Sequence, residues 1–194
     1  LLLLGFVWGL TTGIGGLFAA NWFWLAETFR LPDTEMGHRQ LGGGVAAVVA
    51  ILTAAAAWIH WKRFMVPITV AAGTTAVVAL AIALIMAFFP VAQDWINPIL
   101  LVAGVLVFAF AMRWDMSDLE RRTRRSDVAF WLHLAAAPMI AHPIFHMLGV
   151  FDGNIETPMA ILVIALYIGF ALVALAIDRR ALLVSSLIYV LAAM

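Results

Sequence analysis

The chain has no cysteine, and that absence removes disulfides, thiolate metal sites, iron–sulfur clusters and cysteine nucleophiles together. Charge is almost as scarce: 11% of the 194 residues are Asp, Glu, Lys or Arg, where a soluble globular protein carries roughly a quarter. Lys62 is the only lysine and sits at the end of the second hydrophobic run, so a retinal-type Schiff base in a seventh span is excluded. Net charge is zero, and no water-exposed basic domain is present to follow a phosphate backbone, so nucleic acid is not an expected partner. No G-x-S-x-G elbow, no paired intramembrane aspartates and no E-E-x-x-R pattern occurs, which removes the commoner intramembrane protease signatures. What fills the chain instead is apolar, 65% of its residues, and the lipid bilayer is its expected solvent.

Hydrophobic runs recur at about residues 3–25, 41–61, 64–89, 99–112, 126–150 and 159–177. The fourth reaches spanning length when counted from Trp95 to Trp114. A seventh run, residues 181–194, has 14 residues, short of the roughly 20 that a spanning helix needs. The expected fold class is all-α, a polytopic transmembrane helical bundle of about seven spans forming one domain over residues 1–194. Because the chain opens inside a hydrophobic run at Leu1 and closes inside a short one, it reads as a portion of a longer protein, truncated at both ends.

Nine of the eleven basic residues fall in alternate connections: Lys62 and Arg63, then Arg113, Arg121, Arg122, Arg124 and Arg125, then Arg179 and Arg180. The intervening connections hold Arg30 and Arg39 but also Glu27, Asp33, Glu35, Asp94, Asp152 and Glu156. The positive-inside rule therefore places the first set in the cytoplasm and the second outside. Within the longest basic connection, Ser117 and Glu120 have capping-box spacing and predict a short surface helix through Arg125, with Ser126 as the N-cap of the fifth run.

Small residues lie at helical spacing on several runs. Gly5, Gly9 and Gly13 form a doubled GxxxG face, Gly42, Gly43 and Gly44 open the second run, and Ala79, Ala83 and Ala87 make a stripe on the third. Such faces let backbones approach closely, where lipid gives apolar side chains no reason to hide. They fit two readings: docking of other membrane subunits through the Gly5, Gly9, Gly13 face, or packing of the protein's own helices.

The fifth run is the one with several ionisable side chains at membrane depth, His133, His142 and His146, accompanied by Pro138 and Pro143. His142 and His146 are four apart and share a helical face, so both can ligate one metal ion, with Asp152 following on the outer side as a third donor. His133 is nine residues before His142, on a different face and near the cytoplasmic end, where it is a candidate axial ligand for a haem or chlorophyll-type tetrapyrrole, Ala129 leaving room for a ring. His60 lies near the same end of the second run. The alternative for all of them is a neutral, hydrogen-bonded histidine inside the bundle.

The stretch Arg113-Trp-Asp-Met-Ser-Asp-Leu-Glu-Arg-Arg-Thr-Arg-Arg-Ser-Asp-Val-Ala-Phe-Trp-Leu-His133, running on to His142, resembles uncharacterised bacterial polytopic inner-membrane proteins of unknown function, as does the later Asp178-Arg-Arg-Ala-Leu-Leu-Val-Ser185. The resemblance covers mainly the second half and implies a bacterial inner membrane. The string His142-Pro-Ile-Phe-His146 is also similar to the H-x-x-x-H of progestin and adiponectin receptors, but there it belongs to the last helix at the cytoplasmic side, which does not match its place here. The expected role is a structural or accessory subunit of a larger membrane assembly. The rival is a metal- or tetrapyrrole-binding protein, redox or hydrolytic, centred on the fifth run.

Overall fold

A computed structural model describes residues 34–150 and 157–176, together with Ala20, Asn21, Trp24, Glu27 and Thr28. The Gly5, Gly9, Gly13 face, Asp152, Glu156, Arg179, Arg180 and the seventh run lie outside the described residues. Every element among them is helical: α1 (Glu35–Phe64), α2 (Ile68–Phe88), a short 3-10 turn (Pro90–Gln93), α3 (Ile96–Met116), α4 (Arg124–Met147) and α5 (Thr157–Ala176). The first four α-helices are long and apolar enough to cross a membrane, and α5 carries a shorter apolar stretch, Ile161–Val173. The chain divides into two compact units, the first ending at Asp94 and the second beginning at Trp95.

In the first unit, α1 starts six residues before the hydrophobic run does. Thr34 caps it by accepting the Gly37 N–H at 3.2 Å, and Glu35 pairs with Arg39 one turn on at 3.3 Å, so a polar first turn is stable without apolar periodicity. It ends at Met65, which adopts a left-handed conformation, φ 53°, and donates its N–H to the Trp61 carbonyl. Met65, Val66 and Pro67 are the whole connection, and Pro67, which has no N–H to lose, stands just before α2.

The α1–α2 hairpin is closed by small residues. Gly43 faces Ala83 and Ala87 so tightly that an added Cβ would lie 2.6 Å from the Ala87 Cβ and 2.9 Å from the Ala83 carbonyl oxygen. At the other end Gly73 faces Ala57. Both pairings are symmetric about Met65, 22 residues to either side for Gly43 and Ala87 and 8 for Ala57 and Gly73, which fixes the antiparallel register. The buried side chains of α2 are Thr69, Ala71, Ala76, Ala83 and Ala87. Ala79, expected to share the stripe with Ala83 and Ala87, is exposed, because the buried positions step by seven from Thr69 through Ala76 to Ala83 instead of by four.

The second unit is built on the α3–α4 hairpin. Gly104, Val107 and Ala111 are the buried residues of α3, and an added Cβ at Gly104 would meet the Met139 carbonyl carbon and the Ile140 Cγ1, each at 2.9 Å. That close approach falls where Pro143 has deleted the N–H that would bond the Met139 carbonyl. Both Pro138 and Pro143 are nevertheless inside a continuous α4. More than half of the apolar window of α4 is buried, well above the other three helices long and apolar enough to span. Ala141, Phe145 and Val150 pack with Val163 of α5, and Leu148 and Phe170 extend the cluster. Elsewhere large apolar side chains point outward, among them Ile51, Leu52 and Ile59 on α1, Val102 and Leu106 on α3, and Ile168, Leu172 and Leu175 on α5. Outward Leu and Ile are unremarkable against lipid tails, where helix association must come from close packing.

The connection between α3 and α4 differs from its sequence expectation. No helix forms across Ser117 to Thr123. Ser117 instead closes α3, its hydroxyl donating to the Trp114 carbonyl at 2.6 Å, and α4 is capped by Thr123, three residues before Ser126. The Asp118 carboxylate takes the Arg122 and Thr123 N–H groups that a helix through this connection would need for its own backbone, as described next.

Candidate functional site

Among the described residues, the α3–α4 hairpin carries three groups of polar and titratable side chains. The first is the connection itself. Asp118 is buried and accepts from the Thr123 hydroxyl at 2.6 Å, the Thr123 N–H at 2.9 Å and the Arg122 N–H at 3.2 Å. Thr123 passes the order on, its Oγ1 accepting the Arg125 N–H at 3.2 Å as the N-cap of α4. Donation from the Thr123 hydroxyl, joined by the backbone N–H groups of Thr123, Arg122 and Ser126, holds the Asp118 carboxyl below its ordinary value against the opposing effect of burial. Arg121 adopts a left-handed conformation, φ 53°, to turn the chain around this carboxylate.

The second group lies just inside the hairpin. His133 is fully enclosed, its Nε2 is 3.9 Å from an Asp115 carboxylate oxygen, and its ring meets the Phe108 edge at 5.0 Å between centroids. At 3.9 Å the His133–Asp115 contact is electrostatic and too long for a hydrogen bond. His133 is thus packed against Phe108 and Asp115, both of α3.

The third group is at the opposite end. The rings of His142 and His146 lie 6.0 Å apart, tilted by 58°, so the four-residue spacing does bring them to one face of α4 despite Pro143 between them. Asn97, at the start of α3, places its amide nitrogen 3.1 Å from His146 Nδ1. With the amide donating, Nδ1 is the acceptor and the ring proton resides on Nε2; a flipped amide reverses the tautomer. Asp152 lies outside the described residues, and among those described no three His, Asp or Glu side chains gather as a metal site. His142 and His146 are thus a two-donor pair that needs ligands from elsewhere. In the first unit the His60 and Phe64 rings lie 4.7 Å apart, tilted by 45°, and His38 is exposed at the start of α1.

Asn97, Asp115, Asp118 and Thr123 are the participants that sequence reading passed over. Asn97 and Asp115 stand near helix ends, where a polar residue carries no signal by itself. Asp118 and Thr123, in contrast, have an i, i+5 relation that only the turn between them makes meaningful. No family model, curated protein or solved structure matches the chain.

Proposed function

We propose that this multi-pass membrane protein acts as a structural or accessory subunit of a larger membrane assembly in a bacterial inner membrane. The observation that supports this reading is where charge is kept. Every Asp, Glu, Lys and Arg of α1 to α5 lies within five residues of a helix end, and α2 and α5 contain none. A carrier or ion path needs charge or broken backbone at mid-membrane depth. Away from their ends α1, α2 and α3 carry no ionisable side chain, which favours a role in packing, and His133 on α4 is the exception among α1 to α4. Extraction in mild detergent followed by native mass measurement and cross-linking tests this. The reading expects co-migration with other membrane proteins at a mass well above 21.1 kDa, and a monodisperse single chain would refute it.

A second reading, a metal-binding protein centred on α4, is favoured by the shared face of His142 and His146. Elemental analysis of purified protein with an optical spectrum decides it. A stoichiometric divalent metal would move the function to that site, and a Soret or chlorophyll-type band would move it to a tetrapyrrole.

A further inference from the structure

From Arg113 to Asp127 the chain carries five arginines and four carboxylates, which nearly cancel when read along the sequence. Folding separates the two signs. Asp115 turns toward enclosed His133 with its side chain 13% exposed, and Asp118 is buried with both oxygens accepting from Arg122 and Thr123. Arg113, Arg121, Arg122, Arg124 and Arg125 are all exposed. The outer face of the connection therefore presents five guanidinium groups against two carboxylates, Glu120 and Asp127, and Glu120 is engaged with Arg122 at 3.1 Å. The same short connection exposes two large apolar side chains, Met116 and Leu119, the latter 82% exposed. A loop that shows arginine and bare leucine together is ill suited to water alone. It matches the bilayer interface, where phosphates and acyl chains meet within a few ångströms.

We propose that the α3–α4 connection is a binding surface for anionic phospholipid headgroups, its arginines on the lipid phosphates and Met116 and Leu119 among the upper acyl carbons. Guanidinium suits this role because its fork of donors meets phosphate oxygens in pairs. The apolar pair selects a lipid over a free anion or an acidic soluble partner, neither of which offers anything to Leu119. Asp118 contributes as a positioning residue, since it fixes the turn from which Arg121, Arg122, Arg124 and Arg125 project. The proposal rests on the reading that α3 and α4 cross the bilayer.

The test uses the full chain in neutral detergent, titrated with phosphatidylglycerol, with phosphatidylcholine and with inorganic phosphate. Retained lipid is counted by native mass spectrometry and helical signal is followed by circular dichroism. Phosphatidylglycerol should be retained in preference to phosphatidylcholine, and Arg124→Gln with Arg125→Gln should weaken that retention about 30-fold, at about one tenfold step per 1.4 kcal/mol and about 1 kcal/mol per basic residue. Lys62→Gln with Arg63→Gln removes the same charge from the other unit and should leave the preference in place. Glu120→Gln should strengthen it. Equal retention of the two lipids, equal loss in the two double variants, or equal binding of inorganic phosphate would each overturn the proposal. Reconstitution into phosphatidylcholine nanodiscs separates this from the underlying reading: a folded, inserted protein without lipid preference refutes only the headgroup surface, whereas failure to insert refutes the spanning helices.

Discussion

Replacing Gly43 by Ala adds one methyl group to a chain that is 65% apolar, and the structure requires that methyl to be harmful. Its Cβ would lie 2.6 Å from the Ala87 Cβ and 2.9 Å from the Ala83 carbonyl oxygen, and neither atom is the free end of a flexible side chain. Relief has to come from moving α1 away from α2, which loosens the close packing that holds the hairpin in lipid. Overpacking of this kind costs about 1–3 kcal/mol. Alanine returns up to about 1 kcal/mol of helix propensity over glycine, so the net loss is about 0–2 kcal/mol, toward the upper end because both opposing atoms are held by the α2 backbone. Gly42 and Gly44 provide the internal control: an added Cβ at either meets nothing within 4 Å, so their alanine variants should be neutral or stabilised by up to about 1 kcal/mol. Equilibrium unfolding in mixed micelles, followed by far-ultraviolet circular dichroism as sodium dodecyl sulfate is increased, measures all three. If Gly43→Ala unfolds at the same detergent fraction as Gly42→Ala and Gly44→Ala, the α1–α2 register derived from Gly43 and Ala87 is wrong.

The same unfolding measurement should show Gly104→Ala destabilised comparably to Gly43→Ala, because its methyl would press on the Met139 backbone. Thr123→Ala removes the α4 N-cap together with a donor to Asp118 and should cost about 1–2 kcal/mol, with no loss of helix elsewhere by circular dichroism. Since the Asp118 carboxyl is held below its ordinary value of 3.8, the unfolded chain binds its proton first as pH falls. The stabilisation is complete above that value and is lost as pH drops through the folded one. Asp118→Asn should flatten this acid limb, and an unchanged limb would remove Asp118 from the account. If a divalent metal is present, His142→Ala or His146→Ala should sharply lower occupancy by elemental analysis and His133→Ala should not.

Much of this fold was legible because long apolar runs and basic connections are gross features. The runs beginning near Leu41, Phe64, Ile99 and Ser126 correspond to α1 to α4, displaced by a few residues where polar capping extends a helix beyond its hydrophobic part, as Thr34 does. The capping of the α3–α4 connection was misread because Ser117 and Glu120 fit a local pattern, whereas the N–H groups there answer to a buried carboxylate and a hydroxyl five residues apart. The small-residue stripe on α2 was half right: Ala83 and Ala87 are buried, and Ala79 is not, because which alanine is buried depends on a partner helix that periodicity in one segment does not specify. At the histidines, spacing did predict the shared face of His142 and His146, but Asn97, 49 residues away in sequence, could not be inferred from any local signal. The surroundings of His133 were equally invisible, since Phe108 and Asp115 reach it from another helix.

The central claim, that α1 to α4 cross the membrane in alternating directions with their basic connections on one side, is tested most directly by impermeant thiol labelling. The chain contains no cysteine, so Lys62→Cys, Arg121→Cys and Asp94→Cys each report a single position. In intact cells Asp94→Cys should label from outside, while Lys62→Cys and Arg121→Cys should label only after the membrane is opened. Labelling of Arg121→Cys from outside intact cells, or of Lys62→Cys and Arg121→Cys from opposite sides, would contradict it.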